Sequence, residues 1–224
     1  MAEKINLKTY DDVRLVGDWQ SAPTILGAMV LLHMMPETRL SWLSVQRACV
    51  KLSLASLAID MRGHGDSVET SDGGKIDYRN FSSEEHQSTY GDVVSAVDWV
   101  RGRGIDRRRI ILGGASYGAN LALQFLASDP MLPGAVLLSP SLNYHGIETE
   151  DHVRNLTYNQ SLFIASSLED KQSYDDSKKL FDMAACENKI FVPYKGAGHG
   201  TSMFAYDREL PEKIVAWAEA LLHD

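Results

Sequence analysis

The chain predicts an α/β fold, a mostly parallel sheet of eight strands flanked by helices, and three observations carry that expectation. Short apolar runs alternate with segments of helical period along nearly the whole length. Several of those runs are continuous rather than alternating, as strands covered on both faces are. One of them, Ile110-Ile111-Leu112, ends in Gly113-Gly114 and leads within a few residues into a helix-like segment. With 224 residues the chain can bury a full core, and its length suits one domain over residues 1–224.

Residues 4–8 and 13–19 are short alternating segments separated by Asp11-Asp12, which predicts an antiparallel opening hairpin. Gly27 to His33 is a wholly apolar run up to its histidine, a buried strand. Trp42, Val45, Cys49 and Leu52 then recur at helical spacing, and Leu54 to Ile59 is the next strand. It runs into Asp60-Met61-Arg62-Gly63-His64-Gly65-Asp66-Ser67 and a polar loop from Val68 to Phe81. Ser82 with Glu85 three residues on fits a capping box, opening one helix with Tyr90, Val93, Val94, Val97 and Val100 on a single face. The basic turn Arg107-Arg108-Arg109 leads into the glycine-ended strand, and a helix follows over Asn120 to Ala127. Further strands are expected at Ala135–Ser139, Ser161–Ser166 and Lys189–Tyr194, with a loop and short helical stretch from Pro140 to Thr157. A helix is expected from about Tyr174 to Cys186, and Pro211 opens the last one.

Hydrophobic residues make up 44% and charged residues 23%, the proportions of an ordinary globular protein. A net charge of −8 argues against a nucleic-acid partner and against anionic membranes, since both demand surplus Lys and Arg. The N-terminus has no apolar signal-peptide core and no apolar run would span a bilayer, so a cytoplasmic protein is expected. Cys49 and Cys186, each placed in a predicted helix, read as small buried hydrophobes rather than a disulfide.

The chemistry centres on Gly114-Ala115-Ser116-Tyr117-Gly118, a G-x-S-x-G pentapeptide between strand and helix. Such a turn holds the serine in a strained conformation. It leaves no room for a Cβ two residues to either side, and it aims the amides of the next helix at a developing oxyanion. A serine nucleophile needs a base, and the base needs an acid. In parallel sheets these groups sit in loops at the carboxyl ends of strands. Among the seven histidines that rule selects His199, which follows the last strand in G-A-G-H-G. His86, His152 and His223 fall in helical or exposed segments, and His33 and His64 precede the serine. His145, in the loop after the sixth strand, is placed to reach a substrate pocket without being the base. For the acid, Asp170 follows the strand Ser161–Ser166, with Glu169 as its direct rival one residue earlier.

Beside the pentapeptide, D-M-R-G-H-G-D-S at 60–67 resembles the D-x-R-G-x-G-x-S turn of the α/β-hydrolase family of serine hydrolases. V-L-L-H at 30–33 with Ser41-Trp42 resembles that family's oxyanion loop, and Asp92 to Arg101 its D-x-x-x-A-x-x-W-x-R helix. The resemblance covers nearly all of the chain. It implies a Ser116–His199–Asp170 triad cleaving small to medium soluble carboxylic esters through an acyl-enzyme, with neither cofactor nor metal. It also implies oxyanion donors at the Tyr117 and Met35 amides, and structural roles for Asp60 and Arg62. The family has glycine where this chain has Met34, which places Met34 and Met35 against the acyl pocket. About thirty residues separate Ser139 from Asp170, too few for a cap domain, as in small lidless carboxylesterases and the dienelactone-hydrolase-like group. A thioesterase, lysophospholipase or acyltransferase on the same triad is the rival within enzymes. A non-catalytic ligand-binding protein on a hydrolase fold is the rival of another class.

Overall fold

The computed structural model describes residues 2–223. Eight strands build one twisted sheet: β1 (Glu3–Lys8), β2 (Val13–Gln20), β3 (Gly27–Leu32), β4 (Leu54–Asp60), β5 (Ile110–Ala115), β6 (Gly134–Leu138), β7 (Ser161–Ser167) and β8 (Lys189–Tyr194). Their spatial order is β1-β2-β4-β3-β5-β6-β7-β8. The β1–β2 and β2–β4 pairs are antiparallel, and every pair from β4 through β8 is parallel. A two-residue strand, Glu69–Thr70, lies antiparallel against β2.

Helices cover both faces, which is why the central strands read as continuous apolar runs. Along β3, Ala28, Val30 and Leu32 face one layer, with α2 (Tyr90–Gly102), α3 (Tyr117–Ser128) and α4 (Lys171–Met183). The intervening Met29 and Leu31 face the other, with α1 (Leu43–Lys51) and α5 (Leu210–Ala220). All five of these β3 side chains are fully buried. The period of two thus divides one strand between two cores.

Three elements depart from the sequence expectation. The capping box at Ser82 and Glu85 forms, but its helix stops at Ser88 and α2 begins separately at Tyr90. Ser88 Oγ takes the Glu85 carbonyl at 2.7 Å, so the Thr89 amide turns to His86 instead. Helix α4 starts and ends three residues earlier than expected, at Lys171 and Met183. Lys189 Nζ takes the carbonyls of Phe181 and Ala184 at 2.8 and 2.6 Å and closes its last turn. Cys186 therefore lies outside the helix, although it is buried and free, as is Cys49. Finally, the segment between β6 and β7 contains a tight hairpin, Asn143–Tyr144 against Ile147–Glu148, ahead of the short helix Glu150–Arg154. His145 and Gly146 form its turn at φ of +49° and +82°, the left-handed pair that a two-residue hairpin turn requires. Nothing larger stands there, so the fold has no cap domain. Among the described residues no helix is long and apolar enough to cross a membrane.

Candidate active site

The carboxyl ends of β3, β5, β6, β7 and β8 gather the candidate residues. Ser116 joins β5 to α3 at φ +50° and ψ −114°, a conformation that costs a non-glycine residue about 1–3 kcal/mol. The flanking glycines are dictated by contact distances. A Cβ on Gly114 would stand 2.2 Å from the Gly118 carbonyl oxygen, and one on Gly118 2.4 Å from that of Leu32. The Ser116 amide donates to Leu138 O of β6 at 2.8 Å, tying the elbow to the neighbouring strand. The Ser116 carbonyl takes the amides of Ala119 and Asn120. The Tyr117 and Gly118 amides have no acceptor among the described residues and stand free at the positive end of α3.

The candidate second oxyanion donor, Met35, is oriented through His33. The His33 ring is fully buried; its Nε2 accepts from the Met61 amide at 3.0 Å and its Nδ1–H donates to the Met34 carbonyl at 2.9 Å. Burial, together with the charge of nearby His64, pushes its pKa down to about 3, so the ring is neutral in a single tautomer. In the trans Met34–Met35 peptide the N–H points opposite to the carbonyl that His33 holds. Nothing among the described residues accepts from that Met35 N–H.

His199 Nδ1 lies 2.5 Å from Asp170 Oδ2 and 3.4 Å from Ser173 Oγ. Its loop is held by four amides. Gly196 and Gly198 donate to the two oxygens of Glu169 at 2.6 and 2.9 Å, Ala197 to Ser167 Oγ at 3.0 Å, and Gly200 to Ser139 Oγ at 3.0 Å. The amides of Gly198 and Gly196, with the Ser167 hydroxyl, hold the Glu169 carboxyl down to about 2. Gly198 sits at φ +78°, which lets its amide turn to Glu169 while the next residue carries the imidazole away. Gly200 packs on the residue before Ser116: a Cβ there would lie 3.4 Å from that of Ala115 and 2.6 Å from Met34 Sδ. Ser116 Oγ itself makes no hydrogen bond among the described residues. In a substrate-free site such bonds often tighten only when substrate arrives.

Asp60 and Arg62 brace loops. Asp60 accepts from the amides of Arg39 and Asp66, each at 2.8 Å. Arg62 reaches buried Asp92 through its amide and Nε at 2.7 and 2.8 Å, and Asp11 through its remaining nitrogens.

A cavity of about 380 Å³ opens beside Met35, walled by Tyr78, Phe81, His86, Tyr144 and His145. His145 thus reaches a pocket. Met34 does not line it; its side chain is buried under Gly200. His86, read from sequence as helical or exposed, is 4% exposed and forms part of the wall. Its helical position is as expected, but the burial comes from Phe81 and His145, whose rings the fold alone brings to it.

A family model described as the alpha/beta hydrolase family matches residues 29–185, and the chain belongs to that family. Among solved structures it is similar to an alpha/beta hydrolase, GrgF, from Penicillium sp. sh18, with a TM-score of 0.81, 13% identity and 100% of both chains covered. An esterase from Pyrococcus furiosus superposes with a TM-score of 0.75 at 17% identity, over 99% of this chain and 91% of the other. A dienelactone hydrolase from Anabaena variabilis gives 0.74 at 13%, over 100% and 97%. At these identities the likeness carries the fold alone. No curated protein matches the chain.

Proposed function

We propose that this member of the family is a serine esterase acting on carboxylic esters of small to medium soluble substrates. Ser116 Oγ attacks the ester carbonyl while His199 Nε2 takes its proton. Asp170, at Nδ1, keeps the imidazole in the tautomer that leaves Nε2 free to accept and steadies the cation that forms. The Tyr117 and Met35 amides receive the negative charge that builds on the carbonyl oxygen. His199 returns the proton to the departing alcohol, and water then attacks the acyl-enzyme with His199 again as base.

The observation that carries this reading is the pairing of His199 with Asp170, on a loop whose Gly200 packs against Ala115, the residue before a serine held at positive φ. The chemistry draws only on side chains and amides of this chain and on water. The test is labelling by a fluorophosphonate probe, with the adduct mapped by mass spectrometry, alongside turnover of simple esters and of the corresponding thioesters. An adduct on Ser116 with ester turnover supports the assignment. Faster turnover of thioesters than of esters transfers it to a thioesterase. No adduct and no turnover from folded protein would leave a non-catalytic binding protein.

A further inference from the structure

We infer that the cavity beside Met35 is the acyl pocket of the site and that it selects planar aromatic or conjugated acyl groups over flexible aliphatic chains. The inference rests on the esterase reading above and adds the substrate class to it.

Position comes first. One proposed oxyanion donor belongs to a residue of the cavity wall, and the other to a residue packed against that wall. Met35 forms part of its wall, and Tyr117 adjoins two other parts: its hydroxyl donates to the His86 carbonyl at 2.6 Å, and its ring centroid lies 6.0 Å from that of Tyr144. His199 and Asp170 approach instead from the loops after β8 and β7, on the far side of β5 from β3, the strand that leads to Met35. A carbonyl held by the two amides, with its leaving oxygen toward His199, directs its acyl substituent away from β7 and β8 and into the cavity.

The wall is built of flat rings. His86 and His145 stack at 3.9 Å with 23° between their planes. Phe81 meets His86 edge-on at 5.4 Å and 68°, and Tyr144 meets His145 edge-on at 4.5 Å and 82°. Rings in two nearly perpendicular orientations offer a planar guest both faces and edges, the two arrangements aromatic pairs prefer. A rigid ring also loses less rotamer freedom on binding than an alkyl chain of similar apolar area.

Charge is arranged to match. Arg79, at the cavity rim, is forked onto Asp77 through Nε and an amino nitrogen at 2.9 and 2.6 Å, so its cation is already paired. Burial, with the charge of neighbouring His145, pushes His86 down to about 4, so that ring is uncharged at neutral pH. The hairpin bearing Tyr144 and His145 is tied down by Gln87 Nε2 on the His145 carbonyl at 3.3 Å and by the Gly146 amide on Asn143 Oδ1 at 3.0 Å. The pocket is thus aromatic and held in shape, with its guanidinium already paired.

The test compares methyl benzoate and methyl cinnamate with methyl hexanoate, by titrating released acid, in wild type and in Tyr144→Leu and Phe81→Leu, both of which line the cavity. These variants keep apolar bulk and remove the ring. Wild type is expected to favour the aromatic acyl groups in kcat/KM, and each variant to lower the aromatic-to-aliphatic ratio about three- to tenfold, the range of one aromatic contact. An unchanged ratio overturns the inference. So does a ring preference found only on the alcohol side, with benzyl acetate favoured over hexyl acetate. Binding of methyl cinnamate to Ser116→Ala by calorimetry separates the two readings. If wild type hydrolyses no ester, the esterase reading fails. The pocket is then upheld by cinnamate binding that Tyr144→Leu weakens, and overturned if that binding is absent or unaffected.

Discussion

Glu169 and Asp170 are adjacent in one turn, yet they hold different partners: Asp170 Oδ2 meets His199 Nδ1 at 2.5 Å, while Glu169 receives the Gly196 and Gly198 amides of the loop that carries His199. One carboxylate touches the imidazole and the other shapes the backbone beneath it. Asp170→Asn is therefore expected to lower kcat by about four powers of ten, because an amide at that position favours the wrong tautomer. Glu169→Gln keeps one good acceptor for the loop and is expected to cost less than about tenfold. Measuring kcat for both, with circular dichroism as a folding control, decides between them. A reversed order would make Glu169 the triad acid.

The Glu169 clasp also has a pH signature. Its folded carboxyl titrates at about 2, below the ordinary value of 4.5. A depressed carboxylate contributes stability that is fully present above the unfolded pKa and is lost as pH falls through the folded one. The stability gap between wild type and Glu169→Gln should therefore be widest above pH 5 and close between pH 4 and 2. Urea melts of the two proteins at pH 6, 4 and 3 read it directly. A gap independent of pH would mean that the clasp holds the protonated carboxyl as firmly as the carboxylate.

Strain at Ser116 separates two variants that are equally inert in chemistry. Ser116→Ala and Ser116→Gly both remove the proposed nucleophile, and each should lower esterase activity by roughly four powers of ten or more. Alanine keeps the Cβ at φ +50°, whereas glycine relieves it. Relief of about 1–3 kcal/mol, less about 0.5–1 for the looser unfolded chain, leaves the glycine variant ahead by roughly 1 kcal/mol. In a chain of this size that raises Tm by about 2–4 °C relative to Ser116→Ala. Equal melting temperatures would show that the elbow stores no strain.

The layers of this fold were legible because its central strands are buried on both faces and its turns are spelled in glycine. The G-x-S-x-G spacing follows from approaches of 2.2 and 2.4 Å that no Cβ survives, so the elbow can be read from five letters. Asp170 and His199 could be placed by strand order, and the structure brings the two side chains together. What local pattern did not carry was chosen by long-range contacts. Ser167 and Ser139 look like ordinary strand-end residues until the loop from Gly196 to Gly200 folds onto their hydroxyls. Met34 and Met35 are identical letters, and only the fold sends one beneath Gly200 and the other to the cavity. The hairpin at 143–148 had a signal in His145-Gly146, but the strands beside it are two residues each, too short for periodicity to register.

His33 links stability to the proposed oxyanion site. In the folded protein its two ring nitrogens have fixed and opposite duties, with Nε2 accepting from the Met61 amide and Nδ1–H donating to the Met34 carbonyl. Protonation would turn Nε2 into a donor facing another donor, in a fully buried position beside His64. Burial and that neighbour push its pKa from 6.5 to about 3. Between those values the unfolded chain binds a proton that the folded chain refuses, so stability must fall as pH is lowered from about 6.5 toward 3. His33→Gln removes this titration while leaving an amide able to replace one of the two bonds. It should be less stable than wild type at pH 7 but lose less stability between pH 7 and pH 4, because the other histidines titrate alike in both proteins. The same variant frees the Met34–Met35 peptide, so kcat should drop by more than KM rises, by about ten- to a hundredfold, less than the full loss of an oxyanion donor. Urea denaturation at pH 7, 5.5 and 4, paired with steady-state kinetics at pH 7, tests both halves. Parallel stability profiles would remove His33 as the buried neutral group, and an unchanged kcat would separate it from the Met35 amide.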